Sequence, residues 1–260
     1  MGVHFVRSGR SIRGMLADIV QTVRSAGNPL VDFIFPRVCY ACGGSLPPGA
    51  NRVCRACFSS MRRVDKRDSA YQATLRRAGE SDAISSLVIP WFFEKEGILQ
   101  ALLHELKYRR CTVLGVELGR EIGQILLACT DERIDGWIPV PLHISKLRER
   151  GFNQSLFIGR GVEAVTRIPR YDGVLERVRY TPSQTALTIP MRAMNVSGAF
   201  RVPPERVRRV EGRTFLLVDD VVTTGATMQA CGSALRAAGA RAVLGCAIAI
   251  AQYGREWRFS

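Results

Sequence analysis

The sequence lacks any apolar run long enough to cross a bilayer. A spanning helix needs about 20 consecutive apolar residues, and the stretch from Val243 to Ala251 is too short. The N-terminus has a basic start but no continuous apolar segment and no small-residue cleavage site, and Val6 breaks the myristoylation pattern that Met-Gly would begin. These absences predict a soluble protein of the cytoplasm with no integral membrane segment.

Lysine is scarce as well, because the chain has it only at positions 66, 95, 107 and 146. The formal net charge of +14 therefore comes almost wholly from arginine. A basic balance of this size favours anionic partners such as nucleic acid, nucleotides or polyphosphates. The alternative is an arginine-rich genome that uses arginine wherever a surface cation serves. Because the charge is spread along the chain, both interpretations stay open.

Eight cysteines fall into two groups. One group lies singly in apolar or helical sequence and is predicted to consist of small buried hydrophobes: Cys111, Cys129, Cys231 and Cys246. The other group forms two CxxC pairs separated by eleven residues: Cys39, Cys42, Cys54 and Cys57. Glycines and prolines between the pairs supply the turn that would bring them together.

The paired cysteines predict a structural metal site. Four thiolates at this spacing suit tetrahedral Zn²⁺, and iron with the same ligands is the chemical alternative. A disulfide framework would need an oxidising compartment, which nothing in the sequence suggests. With four protein ligands the metal has no open position, so we expect it to fold this segment and to perform no chemistry.

The run FLLVDDVVTTGAT, Phe215 to Thr227, predicts a ligand site. Its apolar part is short and rich in Val and Leu, as in a buried parallel strand. The hydroxyl and glycine residues that follow leave backbone amides unobstructed at the start of the next helix, where phosphate binds. Asp219 and Asp220 would repel a phosphate, so they suit the hydroxyls of a sugar or a bridging Mg²⁺.

At every position this run resembles the phosphoribosyl-pyrophosphate (PRPP) motif of type I phosphoribosyltransferases. In that family the two acids hold the ribose 2′- and 3′-hydroxyls, and the following loop wraps the 5′-phosphate. The resemblance implies that Asp219 and Asp220 are the ribose ligands. It assigns the phosphate loop to Thr223, Thr224, Gly225, Ala226 and Thr227.

The chain is predicted to contain four segments. An amphipathic helix lies within residues 1–30, the four-cysteine zinc module covers 31–62, a polar linker covers 63–82, and the main domain covers 83–260. Strand patterns alternate with helix patterns in the main domain, which predicts a mostly parallel sheet covered by helices on both faces. The stretch from Tyr180 to Phe200 has no clear periodicity and is predicted to be a long loop.

Taken in order, several motifs resemble the ComF (competence protein F) and GntX-like family. They are LVDFIFPRVCYACG, the second CxxC pair, LLHELKYR, PVPLH…RERGFNQS, RVRYTPSQTAL…RAMNVSGAF and LLVDDVVTTGAT, and they cover about residues 30 to 250. The resemblance implies an α/β fold of the type I phosphoribosyltransferase kind, preceded by a small zinc module with four cysteine ligands. It also implies a role in DNA uptake during natural transformation, with no agreed acceptor substrate.

The resemblance leads to two hypotheses about function. The first is a Mg²⁺-dependent phosphoribosyltransferase that binds PRPP, in which cations hold the leaving pyrophosphate: Lys107, Arg148, Arg150 and Arg179. His143 is either a general base or a cap of its loop. The second hypothesis is a non-enzymatic competence factor that uses the PRPP fold as a scaffold and handles single-stranded DNA. Against it, the basic residues show no obvious interleaving with aromatic residues along the sequence.

Overall fold

The computed structural model describes residues 37–47, 50–79, 82–178 and 198–251. The predicted N-terminal helix, the candidate Arg179 and residues 180–197 of the predicted loop lie outside the described residues. The chain divides into two compact units, Met1–Arg55 and Ala56–Ser260. The segment boundaries at residues 30, 62 and 82 stay predictions.

Helices and strands alternate along most of the described chain. The helices are α1 (Arg55–Ser60), α2 (Ser69–Gly79), α3 (Ile98–Tyr108), α4 (Thr112–Cys129), α5 (Ile144–Arg150), α6 (Gln154–Thr166) and α7 (Ala226–Ala237). The strands are β1 (Ser86–Val88), β2 (Trp91–Phe93), β3 (Gly136–Pro139), β4 (Glu176–Arg177), β5 (Phe200–Arg201), β6 (Thr214–Val222) and β7 (Ala242–Ala251). The predicted alternation is confirmed.

The main sheet is parallel throughout, in the order β1–β7–β6–β3, and β2 also pairs with β7. β6 and β7 lie at its centre, and their near-continuous apolar sequences are buried on both faces, as parallel strands require. In register, Val218 of β6 lies between Pro139 of β3 and Cys246 of β7, and Asp219 pairs with Ala247. The two acids therefore lie near the carboxyl end of a central strand.

Helices cover both faces of this sheet. On one face, α4 packs against α6, and these helices contact β7, β6 and β3. On the other face, α7 packs against α2 and contacts β6 and β7. The predicted fold class, a mostly parallel sheet with helices on both faces, is confirmed.

The segment expected to be a polar linker, residues 63–82, contains helix α2. Tyr71 on this helix is buried, and its hydroxyl donates a hydrogen bond to the Leu87 carbonyl at 2.8 Å. Leu75, one turn later, packs against the same core. The sequence of this segment resembles a linker because its bulky apolar residues are few, although these two have the spacing of one helix face.

The four cysteines outside the CxxC pairs differ in how far they are buried. Cys231 and Cys246 are buried as expected, whereas Cys129 is exposed at the end of α4 and Cys111 is partly exposed.

Among the described residues, no helix combines the length and the apolar character that crossing a membrane would demand.

Candidate functional site

The end of β6 and the start of α7 form the centre of the candidate site. The Asp220 amide donates to Asp219 Oδ1 at 2.8 Å, and the Val221 amide donates to Asp220 Oδ1 at 2.7 Å. The loop then turns at Gly225, which has a φ of 83° and caps α7. This left-handed backbone favours glycine, since it strains residues that carry a Cβ. The strand, the acids, the turn and the helix thus follow one another as the sequence predicts.

Lys107 reaches this centre from the last turn of α3. Its Nζ lies 2.9 Å from Asp220 Oδ2, and the two side chains are only 8% and 16% exposed. The sequence suggested Lys107 as a pyrophosphate ligand, which stays untested. In the structure its ammonium forms an ion pair with one of the two acids.

Ser155 reaches the other acid from the first turn of α6. Its hydroxyl donates to Asp219 Oδ1 at 3.3 Å. Asn153 caps α6 by accepting from the Ser155 amide at 3.0 Å, and its own amide group donates to the Val140 carbonyl after β3 at 2.9 Å. This cap fixes the start of α6 to the sheet, so that Ser155 faces Asp219. Sequence reasoning missed Ser155, which is 64 residues from its partner along the chain.

Burial and the charge of Asp220 raise the pKa of Asp219 to about 7. The Asp220 amide, Lys107 and Ser155 oppose this rise, because each favours the ionised carboxylate. Asp219 therefore changes its charge near neutral pH. A carboxyl group with such a raised pKa is more common at functional sites than elsewhere.

The raised pKa predicts how Asp219 changes stability with pH. Between pH 3.8 and about 7, Asp219 keeps its proton in the folded protein, whereas in the unfolded chain, where its pKa is 3.8, it has released that proton. Its contribution to stability is therefore present at low pH and is lost as the pH rises towards about 7, by at most about 1.4 kcal/mol per pH unit. Urea denaturation of the wild type and Asp219→Asn at several pH values across this window checks the slope. If the free energy of unfolding changed with pH in the same way in both proteins, this expectation would be contradicted.

Arg150 lies beside the start of α6. Its Nη1 donates to Gln154 Oε1 at 3.0 Å, and its guanidinium carbon lies 5.9 Å from the centroid of the Tyr108 ring. Gln154 is 1% exposed. Among the described residues, Arg150 Nε and Gln154 Nε2 are buried and have no hydrogen-bond acceptor. Two buried donors without acceptors are costly, and a bound anion at this place would satisfy them.

The remaining sequence candidates occupy different places. Arg148 is exposed on α5. His143 caps the same helix by accepting from the Ser145 amide, which is the structural alternative considered for it.

On the phosphate loop, the Ala226 amide lies 3.4 Å from Thr224 Oγ1, and Thr74 Oγ1 of α2 lies 3.5 Å from the Thr223 carbonyl.

The two CxxC pairs form a cluster that can bind a metal. The ligand atoms of Cys39, Cys42, Cys54 and Cys57 all lie within 4.8 Å of one another. Zinc–sulfur bonds of about 2.3 Å in a tetrahedron place sulfurs about 3.8 Å apart, and the Sγ atoms of Cys42 and Cys54 are 3.9 Å apart. The cysteines therefore fit a metal such as zinc.

Backbone amides around Cys39 favour its thiolate. Burial raises the pKa of Cys39, but amide donors at Cys54, Cys42 and Ala41 outweigh it and lower the pKa to about 6. The amides of Cys54 and Ala41 lie 3.3 and 3.4 Å from its Sγ. Since the thiolate is the metal-binding form, this environment prepares Cys39 to act as a ligand.

Comparison with known proteins agrees with this geometry. The family model described as Phosphoribosyl transferase domain matches residues 167–257, which include β6, the turn at Gly225 and α7. The domain is of the phosphoribosyltransferase type. It contains the strand, acids and loop that the sequence predicted.

Curated relatives extend the comparison to more of the chain. The chain is 32% identical over 102 residues to Competence protein F of Haemophilus influenzae, covering 39% of this chain and 44% of that relative. The resemblance to the ComF family is confirmed. The chain is also 31% identical over 149 residues to DNA utilization protein YhgH of Escherichia coli K12, covering 56% of this chain and 64% of the relative. The chain thus matches less than two thirds of the length of these ComF-family relatives.

Proposed function

We propose that this ComF-like protein binds PRPP, or a related ribose 5-phosphate ligand, together with Mg²⁺ at the end of β6. The observation that carries the proposal is the pair Asp219 and Asp220 directly before the glycine turn at the start of α7. Carboxylates accept hydrogen bonds from sugar hydroxyls, and a helix N-terminus attracts phosphate. One end of the site thus suits a ribose and the other its 5′-phosphate.

The cationic part of the site suits a leaving pyrophosphate. Arg150 and Gln154 present buried donors without acceptors among the described residues. Mg²⁺ commonly binds through one or two carboxylates together with substrate phosphates, and it would neutralise charge on the leaving group. Two adjacent acids fit this type of binding.

The protein's part in the reaction would be positioning and charge stabilisation. When pyrophosphate leaves C1 of the ribose, positive charge develops on the ring, as in glycoside cleavage. Asp219 and Asp220 would hold the ribose in place, and the donors of Arg150 and Gln154 would stabilise negative charge on the leaving oxygen. The chemical groups that face C1 on the acceptor side determine the second substrate, and a screen of amines and nucleobases for PRPP consumption would identify it.

Calorimetry with PRPP and Mg²⁺ tests the proposal directly. The wild type should give saturable heat, whereas the double variant Asp219→Asn/Asp220→Asn should bind about 100-fold more weakly or worse. The reason is that hydrogen bonds to charged groups contribute about 1.5–3 kcal/mol each. Asp131→Asn/Glu132→Gln is the matched control, because it neutralises two adjacent acids that are exposed. Absence of heat with the wild type, or unchanged affinity in the Asp variant, would remove the proposal.

A second candidate function is the handling of single-stranded DNA. The names of the relatives point to competence and DNA utilization. Arg213 and Arg241 directly precede β6 and β7. Hydrogen bonds to backbone carbonyls join them to each other, to Arg208 and to Arg236 at the end of α7. Such a cluster suits a phosphate backbone. Affinity for single strands should then fall steeply with salt and persist in the Asp219→Asn/Asp220→Asn variant; salt-insensitive or absent binding would eliminate this function.

A further inference from the structure

Lys107 is the buried lysine of the candidate site, and its surroundings define its role. The side chain is 8% exposed, and its Nζ lies 2.9 Å from Asp220 Oδ2. A buried ammonium is costly unless a carboxylate compensates it. This carboxylate meets the requirement, and the ion pair joins the end of α3 to the end of β6.

The ion pair completes the fixation of Asp220. Its Oδ1 accepts from the Val221 amide at 2.7 Å, and its Oδ2 is held by Lys107. Both oxygens therefore have a donor, and the carboxylate plane is fixed. The neighbouring Asp219 is held differently, since the Asp220 amide and the Ser155 hydroxyl both donate to its Oδ1.

Withdrawing Lys107 from Asp220 would also leave two adjacent carboxylates poorly compensated. Lys107 is the cation whose charge acts on Asp219 as well. If its ammonium moved to a pyrophosphate, Asp220 Oδ2 would lose the donor that holds it. The carboxylate would then no longer be fixed in one orientation towards the ribose hydroxyls.

We infer that Lys107 is a positioning residue for the ribose end of the site: it holds the Asp220 carboxylate in place, and does not bind the leaving pyrophosphate. The inference rests on the proposed function. It replaces the role that the sequence suggested for Lys107. It also explains why the Lys107 side chain, in the last turn of α3, is buried, although the helix dipole stabilises a cation at this end of a helix on the surface as well.

Three ligands separate the two roles of Lys107. Ribose 5-phosphate has the sugar but no pyrophosphate, inorganic pyrophosphate has no sugar, and PRPP has both. In calorimetry, Lys107→Met should weaken the binding of ribose 5-phosphate and of PRPP by the same factor, roughly 10-fold to 100-fold. It should leave the affinity for inorganic pyrophosphate unchanged. Lys107→Arg should restore most of the affinity, because it returns the charge. Lys95→Met, the same change at an exposed lysine, is the control.

Other outcomes overturn the inference. If Lys107→Met weakens PRPP and pyrophosphate but leaves ribose 5-phosphate unchanged, Lys107 is a pyrophosphate ligand. If no affinity changes, it is neither. A wild type that binds none of the sugar ligands overturns the proposed function itself, and with it the role of Lys107, so the two failures are distinguishable.

A double variant covers the case in which Lys107→Met does not fold. Lys107→Met/Asp220→Asn removes both charges of the pair, so that neither partner remains as an unpaired buried charge. If Lys107 acts through Asp220, this variant should bind ribose 5-phosphate as Asp220→Asn alone does. A further 10-fold loss relative to Asp220→Asn would show that Lys107 contacts the ligand itself.

Discussion

Removal of the metal from the cysteine module is expected to unfold it. Structural Zn²⁺ contributes about 10–16 kcal/mol of binding free energy in zinc-finger peptides, whereas the described part of the module buries few large apolar side chains, among them Leu46 and Val53. Limited proteolysis before and after chelation should therefore reveal new cleavage within residues 37–57, and added Zn²⁺ should reverse it.

Metal analysis and a matched substitution complete this test. The protein as isolated should contain one equivalent of zinc for the four clustered cysteines, whereas iron in the same ligands would give visible absorbance and identify the alternative metal. Cys54→Ser should lose the metal, and Cys129→Ser, which changes an exposed cysteine that does not belong to the cluster, should retain it. A module that resists protease after complete metal removal would contradict a structural role of the metal.

The core of the candidate site was predictable because its signal is local. The apolar strand, two acids, the glycine turn and a helix are consecutive in the sequence, and each reflects the chemistry of a few neighbouring residues. The left-handed backbone at Gly225 agrees with that prediction, whereas α7 begins at Ala226, so that Ala226 and Thr227 of the predicted phosphate loop lie in its first turn. The strand is longer than its apolar part, since β6 continues to Val222. Pairing with β7 extends β6 beyond the two acids, and the residue pattern within β6 does not reveal which strand it pairs with.

The partners of the two acids could not be predicted, because they depend on distant parts of the chain. Ser155 and Lys107 approach Asp219 and Asp220 only after α6 packs on the sheet and α3 packs on α4. No periodicity near these residues marks them as neighbours of an acid. Aromatic and basic side chains likewise come together without alternating in sequence, as Tyr108 and Arg150 do. Basic and aromatic residues that do not alternate in the sequence can therefore still contact each other in the fold.

Close packing of α4 against α6 predicts a large effect of adding a single methyl group. A Cβ at Gly119 of α4 would lie 2.0 Å from the Ile158 carbonyl oxygen of α6, and a Cβ at Gly161 would lie 2.2 Å from the Val116 carbonyl oxygen. Both obstacles are backbone atoms, so that one helix must move. We expect Gly119→Ala to destabilise the protein by about 2 kcal/mol, because an overpacking cost of about 3 kcal/mol exceeds the gain of about 1 kcal/mol in helix propensity.

Gly123→Ala is the matched control, because it lies one turn further along the same helix. Its Cβ would lie 3.0 Å from the Val165 Cβ and 3.2 Å from the nearest backbone oxygen, so that a small shift relieves the contact. We expect a change in the free energy of unfolding within about 1 kcal/mol, since overpacking and helix propensity nearly cancel. Urea denaturation of both variants measures the difference, and equal stabilities would contradict the close approach at Gly119. Movement of α6 in Gly119→Ala should also withdraw Ser155 from Asp219, so the variant should bind ribose 5-phosphate more weakly even where it remains folded.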